Sequence, residues 1–314
     1  MIITRLLGGL GNQMFQYAAG LALAERRRTV LKLDVSWFRE YAEYEAHNRY
    51  ALGCLNVTEQ FATEDEIDRV RGPRLTRTER WSLPVARLLH FRRYAARNTA
   101  AGNHHRAKAF GFYPEFVEQP DGTYLDGMWQ SERFFADAAG LLRLHFSFRY
   151  PATPPVAAME ARIRAGHPSA AVHFRRGDYA RNPLFNREIG VLPLDYYYRA
   201  VSLLLQKVPG ATLYVFSDDI DGIEREFHPN APHVFVRATH PWNSHDKVRL
   251  MSQCDHAIIS NSTFAWWGAW LNPSPSKVVI APDPWFAASA QDTGDVVPAA
   301  WLRLASNSSE PSRP

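Results

Sequence analysis

The chain has 314 residues, 46% apolar and 22% charged, enough for two soluble cores and too apolar for a disordered segment. A net charge of only +4, with no recognised nucleic-acid-binding motif, excludes nucleic acid as the expected partner. Two cysteines, Cys54 and Cys254, have neither metal spacing nor a disulfide framework, and no leader or apolar run of roughly 18–20 residues is visible. A reduced, cytoplasmic protein, soluble or at most peripheral to a membrane, is expected.

The first predicted strand, Ile2 to Leu7, runs into a glycine turn at Gly8, Gly9 and Gly11. A helix follows, with apolar residues at Met14, Tyr17, Ala18 and Leu21. "TVLKLDVSWF" reads as the second strand, completing β-loop-α-β, and residues 61–110 read as helical and charged. Between Arg69 and Lys108 stand ten Arg and one Lys against one acid, Glu79, with aromatic and leucine residues interleaved. Such a segment suits either a solvated helical face or a peripheral contact with an anionic membrane. "GTYLDG" reads as a strand and turn. The proline-rich stretch around residues 150–165 marks a boundary, giving domains 1–155 and 156–304 and a polar tail at 305–314.

The second half alternates regularly. Strands are predicted at Ala170–Phe174, "TLYVFS", "HVFVRA", "HAIIS" and "KVVIAP", with helices at "LPLDYYYRAVSLLLQK", "SHDKVRLMSQC" and after "NSTF". Strands alternating with helices imply a parallel, doubly wound α/β sheet, whose strands all end on one edge. That edge collects His173–Asp178, Ser217–Asp219 and Ser260–Thr263.

Each group suits part of a sugar nucleotide. Arg175 and Arg176 follow an apolar strand with no carboxylate beside them before Asp178, and guanidinium forks match phosphate oxygens bidentately. Asn261, Ser262 and Thr263 open a helix, where hydroxyls, N–H groups and the helix dipole favour an anion; an ordinary N-cap is the plainer reading. Asp218 or Asp219 suits a guanine or ribose edge, a strand-end turn, or Mg²⁺. The cations already present argue against the metal. The Gly8–Gly9–Gly11 spacing departs from the dinucleotide fingerprint GxGxxG, which weakens an NAD(P)-binding oxidoreductase reading. It still permits close backbone approach at Gly9, with Asn12 and Gln13 offering amides.

"GGLGNQMFQYAAGLALA", "VHFRRGDY", "VFSDD" and "SNSTFAWWGAWLN", in this order, resemble the α-1,2-fucosyltransferases of glycosyltransferase family 11 over about residues 3–285. The resemblance implies a GT-B-like α/β fold, two Rossmann-like doubly wound domains facing across a cleft. It implies metal-independent, inverting transfer of fucose from GDP-L-fucose to the 2-hydroxyl of a terminal galactoside in a surface glycan, with a lipid-linked acceptor plausible. Another GDP-sugar transferase, of different linkage, is the alternative.

By motif, Arg175 is the phosphate clamp, Arg176 is secondary or structural, and His173 lines the nucleotide pocket. Asp218 takes the guanine side, Asn261, Ser262 and Thr263 the phosphates, and Gly9, Asn12 and Gln13 project toward the fucose or acceptor. Trp266, Trp267 and Trp270 fall at helical spacing and read as core. Relatives often carry His-Gly where this chain has Ile189-Gly190, so "ARNPLFNREIG" reads as an acceptor-specific loop. Asp178 and Glu188 are the candidates for a general base. Holding Arg175 or Arg176 in place is the favoured role of Asp178, and the identity of the base stays open.

Overall fold

The computed structural model describes residues 1–40, 49–72, 103–107, 111–177, 190–237, 244–286 and 293–306. The chain divides into two compact units. One comprises Met1–Gly53, Val57–Trp129 and Arg133–His145; the other comprises Cys54–Asn56, Gln130–Glu132 and Phe146–Pro314. The main break thus falls between His145 and Phe146, ahead of the proline-rich stretch.

The first unit is built on a four-stranded parallel sheet. Its strands are β1 (Ile2–Arg5), β2 (Leu31–Asp34), β3 (Asn103–Arg106) and β4 (Thr123–Asp126), in the order β2-β1-β4-β3. Helix α1 (Leu10–Arg27) connects β1 to β2 and buries Met14, Phe15, Ala18 and Leu21, a helical apolar stripe. It packs tightly: a Cβ at Gly20 would lie 2.8 Å from the Leu31 side chain and 3.1 Å from that of Thr4. Arg26 and Arg27 close the helix, pairing with Asp137 and with the carbonyls of Phe134, Val117 and Gln119. Cations at this end also suit the helix dipole. Two short helices follow, α2 (Ser36–Glu40) and α3 (Glu64–Arg71), the latter opened by a Thr63–Glu66 capping box.

Two expectations are corrected here. The second strand stops at Asp34, and Ser36 to Phe38, read as strand, are helical. Within 61–110, read as helical, Asn103–Arg106 is a strand bonded to β4. Most of the basic segment, 73–102 and 108–110, lies outside the described residues.

Helix α4 (Ala139–His145) ends the first unit, and α5 (Pro154–Ala165) begins the second with prolines in its first turn. Then come β5 (Ser169–Phe174), α6 (Leu194–Lys207), β6 (Thr212–Ser217), α7 (Ile220–Glu226) and β7 (His233–Phe235). Next are α8 (Ser244–Gln253), β8 (His256–Ile258), α9 (Thr263–Leu271), β9 (Val279–Asp283) and β10 (Leu302–Ala305). The sheet order is β10-β9-β8-β5-β6-β7, parallel at every pairing. Strand β10 is a sixth strand beyond the five expected, and residues 307–314 of the tail lie outside the described residues.

Every residue of β5 is buried, as a parallel strand covered on both faces requires. Ala170, Val172, Phe174, Leu213, Val215, Ile258 and Ile280 pack in one cluster with Tyr196, Ala200 and Leu204 of α6. Each fully buried aliphatic side chain of this size stabilises by about 1.5–3 kcal/mol.

The chain starts this sheet at β5, builds outward through β6 and β7, then returns to β5's other side with β8. The strand order therefore reverses between β5 and β8. Ligands of doubly wound sheets bind outside the carboxyl ends of the strands at this switch point. His173–Gly177 and Ser260–Ser262 lie there.

Candidate active site

At the end of β5 the chain turns away through Arg175, Arg176 and Gly177. Beneath the turn, Phe174 stacks on Tyr197 of α6 at 3.7 Å between ring centroids, and Phe227 meets Phe174 edge-on at 4.9 Å. This aromatic platform fixes the strand end.

The turn itself is fastened by Asp218, the residue after β6. Its carboxylate accepts from Arg176 N–H at 2.9 Å and Gly177 N–H at 3.0 Å, and lies 3.5 Å from an Arg175 guanidinium nitrogen. Burial favours the neutral acid. The Arg175 charge and the two backbone donors outweigh it and hold Asp218 below the usual carboxylate range. A Cβ at Gly177 would come 2.9 Å from the Asp218 carboxylate, so the absent side chain lets the clamp close.

The two arginines therefore differ. Arg176 turns to α7, where Glu226 accepts from it at 2.7 Å. Arg175 remains by the strand end, 28% exposed and beside Asp218. The sequence shows no carboxylate next to the doublet; the fold supplies two from distant positions. Asp218, expected on the guanine side, has its oxygens engaged by the arginine turn. Asp219 caps α7, accepting from Gly222 N–H at 3.2 Å.

His173, one residue inside β5, is buried and hydrogen-bonded through Nδ1 to Ser260 Oγ at 2.9 Å. The bond spans the switch point. Its ring rests against Phe264 of α9 at 5.9 Å. Burial pushes the imidazole far below its ordinary pKa, with Arg175 and Lys247 adding to the shift and Asp218 opposing it. His173 is thus neutral at physiological pH.

Beyond β8, Ser260, Asn261 and Ser262 are all buried. Asn261 donates to Gly190 O at 3.0 Å, anchoring Gly190 beside the end of β8. Ser262 is the N-cap of α9, yet its side chain makes no capping bond. The positive end of this nine-residue helix, Thr263–Leu271, lies at the switch point, linked to β5 through the His173–Ser260 bond and the His173–Phe264 ring contact. Trp266, Trp267 and Trp270 are core: their rings pack on one another, and Trp266 Nε1 donates to Val296 O at 2.7 Å.

Lys247, which sequence reasoning did not single out, reaches this rim from α8. Its Nζ donates to Ser217 O, the last carbonyl of β6, at 3.0 Å. A lone lysine inside a charged helix reads as a solvated face, so only the tertiary fold reveals it.

In the first unit the glycine turn also follows a strand beside a switch point, between β1 and β4. Gly8 has φ +73°, and a Cβ there would meet Asn12 Nδ2 at 2.7 Å. Gly9 is exposed with open space where a side chain would stand, and Asn12 is half-buried in the first turn of α1. Gln13 is a correction. Its side chain is fully buried, donating to Gly8 O at 2.7 Å and Arg49 O at 2.8 Å while accepting from Ala51 N–H at 2.8 Å. It ties the glycine turn to the 49–51 segment and does not project toward a ligand. Asp178 and Glu188, the candidate bases, lie outside the described residues.

With a buried strand end, a clamped arginine turn and a helix N-terminus whose N-cap side chain makes no capping bond at one switch point, the second unit has the makings of an anion-binding site in an α/β enzyme. The family model described as glycosyl transferase family 11 matches residues 109–304. The Escherichia coli protein named alpha-1,2-colitosyltransferase is 30% identical, covering 97% of this chain and 99% of that one. The O-antigen biosynthesis glycosyltransferase WbnK, also from Escherichia coli, is 28% identical over 90% of this chain and 94% of its own. Among solved structures, the fucosyltransferase NodZ from Bradyrhizobium is similar with a TM-score of 0.44 and 16% identity, covering 85% of this chain and 91% of that one.

The chain belongs to glycosyl transferase family 11. It is a glycosyltransferase, and its two parallel α/β units make the fold GT-B-like.

Proposed function

We propose that the protein transfers L-fucose from GDP-L-fucose to the 2-hydroxyl of a terminal galactoside, with inversion at the anomeric carbon. The observation that carries this reading is the cationic, carboxylate-clamped turn at the switch point where α9 begins. As the glycosidic bond to the nucleotide breaks, negative charge grows on the departing diphosphate. Fixed donors already in place stabilise that charge without reorganising, which lowers the barrier. Arg175 supplies the fork, and the first turn of α9, with Ser262 and Thr263, supplies N–H and hydroxyl donors. His173, held neutral, shapes the pocket through Ser260 and adds no charge. Asp218 keeps Arg175 in position.

Arg175 and the helix terminus furnish the positive charge that a divalent ion otherwise brings, so transfer is expected without a metal. Activity undiminished by EDTA is the corresponding check. Gly9 and Asn12 are the first unit's contribution to the fucose or the acceptor. Asp178 or Glu188 takes the acceptor proton, and a pH–rate comparison of Asp178→Asn with Glu188→Gln separates them. A galactose-terminated surface glycan, carried on a lipid, is the acceptor we favour for a cytoplasmic enzyme. No described helix is long and apolar enough to cross a membrane.

The relative named alpha-1,2-colitosyltransferase favours a second reading, the same linkage made with a colitosyl donor. A donor and acceptor screen with the product linkage assigned by NMR tests both. Transfer of fucose to the galactose 2-position is expected. Transfer of colitose alone selects the second reading, and any other linkage refutes both.

A further inference from the structure

Lys247 lies outside all the motifs that carry the family resemblance, yet it stands among the charges of the donor site. Its ammonium is half-buried, on the part of α8 that meets the carboxyl end of β6. An ammonium has three N–H donors. Among the described residues, Lys247 uses one of them, on Ser217 O. Burial lowers its pKa, Arg175 lowers it further, and Asp218 opposes both.

Bonding a neutral carbonyl does not explain a half-buried cation, because a neutral donor would serve there without the desolvation penalty of a charge. Pairing with Asp218 does not explain it either. That carboxylate already has two backbone N–H groups and Arg175. With His173 neutral, Arg175 and Lys247 both act on the Asp218 carboxylate among the described residues at this strand end. The surplus positive charge calls for an anion.

We propose that Lys247 is a second cationic contact for the diphosphate of the sugar-nucleotide donor, supplied from α8 and set beside Arg175. The proposal rests on the donor reading above and adds a residue to it. Two cations on separate elements share the charge that develops as the diphosphate departs. Arg175 acts as a planar fork fixed by Asp218, and Lys247 as a compact point charge held by Ser217 O.

The test is calorimetric titration of GDP and of guanosine into wild type, Lys247→Met and Lys247→Arg. Lys247→Met is expected to weaken GDP by about tenfold or more, the scale of one hydrogen bond to a charged group, and to leave guanosine unchanged. Lys247→Arg, which keeps the charge, should recover most of the GDP affinity. A smaller loss of GDP affinity, or an equal loss for GDP and guanosine, would overturn the proposal and return Lys247 to a structural role. If Lys247→Met does not fold, Lys247→Gln takes its place, and failure of both to fold also counts as a structural role. A folded wild type that binds no GDP at all defeats the donor reading itself, a result distinct from any of these.

Discussion

Asp218→Asn separates the clamp from the charge it carries. The substitution keeps shape and one oxygen, which accepts from either Arg176 N–H or Gly177 N–H. The new NH₂ then confronts the other donor, now 2.9–3.0 Å away with nothing to accept it. Losing one charge-assisted hydrogen bond costs about 1.5–3 kcal/mol, and losing the partly buried Arg175 pair adds up to about 1 kcal/mol. A stability loss of about 2–4 kcal/mol at pH 7 is expected in chemical denaturation. Asp218 has a depressed folded-state pKa, so its contribution is present above the unfolded value near about 3.9. It is lost as pH falls through the lower folded value, and the gap between variant and wild type should close there.

Activity tests the same clamp from the other side. Removing a negative charge near a diphosphate favours donor binding; at about 7 Å and an effective dielectric of 20 that is worth about 2 kcal/mol. Releasing the arginine turn opposes this by a comparable amount, so donor affinity changes little. The rate step has no such compensation, because an unanchored Arg175 is no longer preplaced for the departing diphosphate. A fall in kcat of about ten- to a hundredfold with a nearly constant donor KM is expected from steady-state kinetics. Unchanged stability together with unchanged kcat would refute the clamp.

The two arginines should behave differently. Arg175→Ala is expected to lose more than a hundredfold in kcat, the scale of about 2.7–4 kcal/mol for a transition-state donor, with the fold intact by circular dichroism. Arg176→Ala loses a partly exposed pair with Glu226, so a stability change of about 0–1 kcal/mol and a kcat within about tenfold of wild type should be found. Ser262→Ala removes an N-cap side chain that makes no capping bond; the melting temperature should hold where caps ordinarily contribute about 1 kcal/mol, while donor KM rises. His173 is neutral when folded and titrates near about 6.5 when unfolded, so wild-type stability should fall as pH drops below that value. His173→Gln, measured by denaturation at pH 7.5 and 5.5, should remove about 1.4 kcal/mol of the stability difference between those two pH values.

The arginine turn and the α9 entrance are legible in the sequence because a parallel strand buried on both faces is written as a short, mostly apolar run without Asp, Glu, Lys or Arg. "SAAVHF" is such a run, and whatever follows it must lie on the sheet's carboxyl edge. What holds the turn is not legible. Asp218 and Glu226 reach Arg175 and Arg176 through the pairing of β6 with β5, so adjacency in sequence wrongly suggests unpaired guanidiniums. Gln13 misleads for a similar reason: polarity at a helix start reads as ligand-facing, whereas its amide meets Gly8, Arg49 and Ala51. "NHHR" has no alternation of apolar residues, and its strand exists because β4 offers an edge to bond. Strand β10 likewise alternates half-buried with exposed residues on the rim of the second sheet.

A crystal structure of the enzyme with GDP tests the central claim most directly. The diphosphate should lie within hydrogen-bonding distance of Arg175 and the first turn of α9, with Asp218 still gripping the arginine turn. A nucleotide bound away from the β5–β8 switch point, or an Arg175 guanidinium that leaves the phosphates untouched, would contradict it.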